Sequence, residues 1–369
     1  MKERKSSLGP LLLLLVFVLA AAAGLWYLYP MIRDNDIIDL QNKEESIPDD
    51  VPVVVWDDAA PGRSYEELSE YLSSLEPTVA IKGMAGNLEW EDICREHFWV
   101  DSFNITGTVG GDIRRYSFKY KDDAADNRKM QKLIESEIKD IIKVIPADAD
   151  DWSKALALHD ELIRRITFDR SDEEKHGHDI YGALVIHKAV CQGYTYSFTI
   201  IAQRIGLQCS EIYSDTHIWN KLPGLASGEC YADITWDDID RCDSSGNPYI
   251  IHDNFGLTKA EIEKLKEHKP EPGTDNEKNR PGTGDNFFRK KGWYIAAGDT
   301  AQLEIAVKEQ LDSGNNIIEL RFANNSDHAS AKEIVEDIIR RNDYSGAYLS
   351  WSNKELKTYV VGLYPPEDD

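Results

Sequence analysis

Residues 181–209 read YGALVIHKAVCQGYTYSFTIIAQRIGLQC, and the spacing of the apolar side chains after Cys191 decides the fold. Tyr194, Phe198, Ile201, Ala202 and Ile205 recur every three or four positions until Gly206, which predicts a helix that opens at Cys191 and stops at a glycine. A cysteine at a helix start meets N–H groups without an intrahelical acceptor and the positive end of the helix dipole, and both favour a thiolate. That is what a nucleophile needs. Cysteine also suits a buried site as a small hydrophobe, and position alone leaves both readings open.

The next segment supplies a base and an orienter. His217 to Lys221 reads as a strand, Pro223 to Gly228 as its turn and Glu229 to Thr235 as the returning strand. A symmetric hairpin centred on Leu225 sets His217 opposite Asp233, and directly opposed side chains lie about 5 Å apart at Cβ. A carboxylate at that distance holds an imidazole and fixes its tautomer. Trp219 shares a face with His217 by strand alternation and is placed to shield the ring from water.

These segments together resemble the transglutaminase-like superfamily of papain-type fold, in its bacterial cell-surface form. The resemblance rests on V-C-x-G-Y at Val190–Tyr194, HIWN at His217–Asn220 and YADITWDD at Tyr231–Asp238, and spans roughly residues 126–260. Ile218 stands where the family more often has Ala. The resemblance implies an α+β core in which the helix bearing the cysteine packs on an antiparallel sheet. It implies Cys191 as nucleophile, His217 as general base and acid, Asp233 as orienter, and amide chemistry on a protein or peptide substrate without cofactor or metal. Tyr181, Gln192, Trp219 and Trp236 are the candidates for the substrate cleft. The alternative is a binding scaffold that keeps the fold and lacks catalysis.

Working outward, residues 126–145 carry Met130, Leu133, Ile134, Ile138, Ile141, Ile142 and Ile145 at helical spacing, and Trp152 to Ile166 reads as a second helix with His159 at the edge of its apolar face. The flanks repeat one order of elements, α-β-α-β-β. Tyr65–Leu75, Thr78–Lys82, Trp90–Phe98, Ser102–Thr108 and Ile113–Tyr120 form the first set. Ala301–Leu311, Asn316–Phe322, Ala331–Arg341, Ala347–Trp351 and Lys357–Leu363 form the second. The expected organisation is therefore a cytoplasmic tip and anchor at 1–33, a tether at 34–62, an α+β module at 63–121, the catalytic domain at 122–269, a linker or exposed loop at 270–286, and a second α+β module at 287–369.

The anchor is read from Leu11–Tyr29, an apolar run of 19 residues behind Lys2, Arg4 and Lys5. Its length suits a membrane helix of about 20 residues, and the flanking charge places the bulk of the chain outside. Against 66 acidic residues stand 42 basic ones, and a net charge of −24 repels phosphate backbones, so no nucleic acid is expected. The five cysteines include no C-x-x-C pair for zinc, and Cys94, Cys209, Cys230 and Cys242 are free to pair outside the cell. His176 and His178 form an H-x-H read as a solvated loop, His187 reads as a surface residue, and His252 has no partner suggested by spacing.

Overall fold

The computed structural model describes residues 47–364 except 60, 89, 91, 92, 94, 110, 111, 122, 123, 226, 227, 273, 274, 276–285, 345 and 346. The apolar run Leu11–Tyr29 lies outside the described residues, and among these no helix is long and apolar enough to cross a membrane. The chain is a mixed α+β protein with two compact units, the first running through Asn87 with Ser102–Lys119, the second comprising Leu88–Asp101 and the chain from Tyr120 onward.

In the first unit β1 (Val53–Val55) lies parallel to β2 (Thr78–Lys82), and α1 (Pro61–Ser73) connects them. β4 (Ile113–Tyr120) pairs antiparallel with β2, and β3 (Val100–Val109) completes the order β1-β2-β4-β3. Val54, Leu68, Leu72, Val79 and Ile81 are buried. Within the span 34–62 expected as a tether, Val53–Val55 belong to this sheet and Pro61–Gly62 open α1. Residues 95–99 form turns where the end of a helix was expected.

In the second unit α2 (Ala124–Val144) buries Met130, Ile134, Ile138 and Ile141, while Leu133 stays exposed, so its apolar stripe is narrower than the sequence suggests. α3 (Asp151–Arg165) begins on Asp150, whose carboxylate accepts the Ser153 N–H at 2.7 Å. A short parallel pair, β5 (Thr167–Phe168) and β6 (Lys188–Ala189), leads into α4 (Cys191–Arg204). α4 lies against a sheet of order β12-β9-β8-β7, built from β7 (Ser210–Tyr213), β8 (Ile218–Leu225), β9 (Gly228–Ala232) and β12 (Phe255–Leu257). Between β9 and β12 come one helical turn, α5 (Ile234–Asp237), and the pair β10 (Asp238–Cys242) and β11 (Pro248–Ile250).

The hairpin departs from its expected register. Asn220 pairs with Ala232, Lys221 with Tyr231 and Leu222 with Cys230, two residues away from a turn centred on Leu225. Pro223 and Gly224 continue β8 through an irregularity between Leu222 and Leu225 and do not turn the chain. Because strand side chains alternate with a period of two, this shift keeps every residue on its expected face. β9 ends at Ala232, so Thr235 belongs to α5 and not to the returning strand.

After α6 (Lys259–Ile262) and α7 (Phe287–Lys291), the C-terminal sheet contains β13 (Tyr294–Ile295), β14 (Ile317–Phe322), β15 (Ala347–Asn353) and β16 (Thr358–Tyr364), with α8 (Thr300–Asp312) and α9 (Asn325–Arg341). Its order, β13-β14-β16-β15, repeats that of the first unit, again with a parallel first pair followed by an antiparallel second. This sheet belongs to the same compact unit as the hairpin. Tyr249 donates to the Leu363 carbonyl at 3.0 Å, Thr358 to Asp253 at 2.8 Å and Arg321 to Glu261 at 3.0 Å. In the segment expected as a linker or exposed loop, the Asp275 carboxylate receives Lys221 at 2.8 Å, Lys259 at 2.6 Å and the Tyr231 hydroxyl at 3.0 Å.

Candidate active site

Cys191 is the first residue of α4. Val190 ahead of it has extended backbone and gives no side-chain cap, and the first turn carries no acidic residue, so the helix N-terminus faces the thiol without a competing anion. At Gly193 a Cβ would come within 2.6 Å of the Ala189 Cβ and 3.1 Å of the Asp179 carbonyl, so only glycine lets the preceding loop lie against this turn. Thr195 and Thr199, one and two turns after Cys191, are buried against β8. Thr195 Oγ1 donates to the Ile218 carbonyl at 3.1 Å, and Asn220 Nδ2 donates to the Thr195 carbonyl at 3.2 Å and to Thr199 Oγ1 at 2.9 Å. These bonds fix the helix along the strand and carry Cys191 to the end where His217 stands.

The Cys191 side chain lies near enough to His217 to favour the charged imidazole. The ring's Nε2 lies 2.6 Å from Asp233 Oδ2, which leaves Nδ1 for the thiol. With the register shifted by two, His217 and Asp233 are diagonal and not directly opposed, a separation that an imidazole and a carboxylate can still bridge. Asp233 also caps α5, its Oδ1 accepting the Trp236 N–H at 3.1 Å.

A fourth side chain completes the arrangement. His268 Nε2 lies 2.7 Å from the same Asp233 Oδ2, and its Nδ1 is 2.9 Å from the Lys266 carbonyl. Nothing in the sequence marks His268, since it follows α6 outside both strands and reaches Asp233 only through tertiary folding. Around the two imidazoles stand Trp219, stacked on His217 at 6.0 Å between ring centroids, and Trp236, 5.9 Å from His217 and edge-on to His268 at 4.6 Å. Trp219 is fully buried. The expected shielding of His217 by Trp219 is present.

Burial disfavours a charged His217, yet the Asp233 carboxylate and the Cys191 side chain outweigh it and raise the imidazole from 6.5 to about 10. Burial likewise opposes a charged Asp233, and His217 with His268 pulls its carboxyl below the ordinary range. The stability that His217 contributes is therefore complete below pH 6.5 and disappears as pH rises towards about 10. The expected result is a gap in Tm between the unaltered chain and His217→Gln that is widest below pH 6.5 and closes on the alkaline side. A gap independent of pH in thermal melts would contradict this assignment.

The remaining sequence candidates lie elsewhere. The Tyr181 ring stacks on Phe98 at 5.9 Å and meets His176 edge-on at 5.1 Å. Gln192 accepts from His178, whose other ring nitrogen is 2.7 Å from Asp172. His178 is exposed, whereas His176 is buried and bonded to Asp179 at 2.8 Å, so the H-x-H is only half a solvated loop. His187 is exposed as expected. His159 is fully buried and not at a core edge, and His252 has two carboxylate partners, Glu319 and Asp160. Cys209 and Cys242 are free thiols and not disulfide partners, Cys94 lies outside the described residues, and burial pushes Cys209 up to about 12.

No protein-family model and no curated protein matches the chain. Among solved structures it is similar to one described as "Crystal structure of a TGase", at 12% identity over 50% of this chain and 59% of that one, with a TM-score of 0.24. It is also similar to one described as "Crystal structure of menin reveals the binding site for Mixed Lineage Leukemia (MLL) protein", at 13% identity over 61% and 49% of the two chains, with a TM-score of 0.26. The chain spans less than two thirds of the length of either. Overlaps this slight leave the chemistry to be read from the side chains.

Proposed function

We propose that the chain is a transglutaminase-like cysteine enzyme that breaks or exchanges amide bonds through an acyl-enzyme on Cys191. The observation that carries this reading is the buried His217–Asp233 pair, 2.6 Å apart, beside a cysteine at a helix N-terminus that favours the charged imidazole. A thiolate paired with an imidazolium is the resting state that this electrostatic arrangement favours. The Cys191 sulfur attacks the carbonyl carbon, and the developing oxyanion is met by N–H groups at the start of α4. His217 then gives its proton to the departing amine, and a thioester remains. In the second half the neutral imidazole takes a proton from water or from an incoming amine. The sulfur leaves as thiolate, with a carboxylic acid or a new amide as product.

The substrate is a protein or peptide, as the acyl-transfer chemistry implies. The segment Leu11–Tyr29 would hold the enzyme at a membrane with its bulk on the outer side. The direct test is intact-mass spectrometry of the purified chain incubated with mixed peptides and primary amines. The expected result is a mass gain on the peptide containing Cys191 that hydroxylamine removes, together with new peptide acids or amides. A chain that acquires no thioester, and whose Cys191 ignores thiol electrophiles at mildly acidic pH, would not be this enzyme.

A further inference from the structure

Behind α5 lies a second set of histidines and carboxylates that takes no part in the chemistry above. His159 Nδ1 is 2.9 Å from Asp160 Oδ1, and His252 Nε2 is 3.0 Å from the same oxygen. These three ligand atoms all lie within 4.8 Å of one another. The outward nitrogen of each ring rests on another buried carboxylate. His159 Nε2 is 3.1 Å from Asp237 Oδ2, and His252 Nδ1 is 2.7 Å from Glu319 Oε2. Those outer carboxylates are themselves held, Asp237 by the Asn254 N–H and side-chain amide, Glu319 by the His252 N–H. The rings cannot easily turn, since His252 stacks on Phe287 at 3.9 Å and His159 meets Phe255 edge-on at 5.1 Å. Asp160, His252 and Glu319 line a cleft of about 500 Å³ together with Trp293 and Gln310.

We propose that His159 Nδ1, Asp160 Oδ1 and His252 Nε2 form a binding site for a divalent transition-metal ion, zinc being the best fit, with a fourth position open to the cleft for water. A histidine that binds a metal characteristically donates its other N–H to a carboxylate, which fixes the tautomer and aims the free lone pair at the ion. Here both rings are held that way, by Asp237 and Glu319, and both inner nitrogens converge on one carboxylate oxygen. Two imidazoles and one carboxylate suit zinc and its neighbours better than magnesium or calcium, which prefer oxygen donors. Tetrahedral ligands at about 2.0–2.1 Å from zinc sit about 3.3 Å apart, so each ring nitrogen has only to draw back a few tenths of an ångström from Asp160 Oδ1, from 2.9 and 3.0 Å. Arg164 reaches only the other oxygen of Asp160, at 3.8 Å, and leaves Oδ1 to the metal.

His217, Asp233 and His268 also bring ligand atoms together, so the test must separate the two sets. The purified full chain is titrated with Co²⁺, read by its visible absorption, and then with Zn²⁺ in competition. The expected result is one ion per chain, lost in His252→Gln and in Asp160→Asn, and kept in His268→Gln and Cys191→Ala. Glu319→Gln and Asp237→Asn should weaken binding about 10–100-fold, the usual cost of losing a carboxylate behind a ligating histidine. Circular dichroism checks each variant for folding. If His252→Gln does not fold, Asp160→Asn decides, because its side chain is partly exposed and nearly isosteric. An unaltered chain that takes up no stoichiometric ion overturns the proposal. So does binding that survives in folded Asp160→Asn, or that is lost in His268→Gln.

Discussion

Cys191→Ala is expected to give a folded chain that neither hydrolyses nor exchanges amides. The thiol is only partly buried, so its removal costs the fold about 1 kcal/mol, the ordinary effect of a point substitution. α4 keeps its staples to β8 through Thr195, Thr199 and Asn220, none of which involves the sulfur. The reaction, by contrast, has no other atom on which to build its thioester. Removing the nucleophile from a group that acts as a unit costs on the order of 10⁶ in turnover. The comparison needs single-turnover assays with the substrate found by mass spectrometry, beside a thermal melt. A folded Cys191→Ala chain with undiminished turnover would sink the enzyme reading and favour a binding scaffold, with the aromatic surround of His217 as its groove.

Asp233→Asn is the second large effect, and it should reach the rate more than the fold. The asparagine oxygen can still accept the Trp236 N–H and keep α5 capped. What it cannot do is accept from two imidazoles at one negatively charged oxygen, as Asp233 Oδ2 does for His217 and His268. An amide N–H turned towards His217 Nε2 demands a lone pair there and forces the proton onto Nδ1, the nitrogen that must serve the thiol. Misassignment of the tautomer in the analogous serine enzymes costs about 10⁴ in turnover. That is about 5.5 kcal/mol at 1.36 kcal/mol per tenfold, against about 3 kcal/mol of stability for a buried charge left without its partner. The rate should also lose its alkaline tolerance, because an imidazole without the carboxylate falls back from about 10. Turnover measured from pH 6 to 10, about the range of that shift, would expose the change. An unchanged profile would mean that Asp233 does not hold the base.

Much of this site could be read from the sequence because its parts are local. The α4 period, its stop at Gly206 and the placement of His217 and Asp233 on one face depend on residues within a helix or a hairpin. The hairpin reading survived a wrong turn. Pro223 and Gly224 look like turn formers, yet β8 runs on through them, and only the evenness of the resulting shift kept His217 and Asp233 together. Tertiary contacts were a different matter. His268 lies 35 positions from Asp233, Asp160 lies 92 from His252, and Glu319 lies 67 from His252, distances at which no periodicity operates. Within the span read as a tether, Val53–Val55 form a strand, because three consecutive β-branched residues outweigh the prolines on either side.

The bonds between the C-terminal sheet and the central strands also bear on how the chain is made. A polypeptide leaves the ribosome from its N-terminus, so His217, Asp233 and His268 emerge well before Glu319, Thr358 and Leu363. Until those residues arrive, His252 lacks Glu319, Asp253 lacks Thr358 and Tyr249 lacks the Leu363 carbonyl. At about 5–20 residues per second, the wait between Tyr249 and Leu363 is roughly 5 to 20 seconds. During that time the nucleophile's helix and its hairpin can pair, while Tyr249 and Ile251 remain uncovered by Ile317 and Val360. The newborn chain therefore carries an open apolar seam beside its histidines until the last strand is released, and that strand closes it from within the same polypeptide.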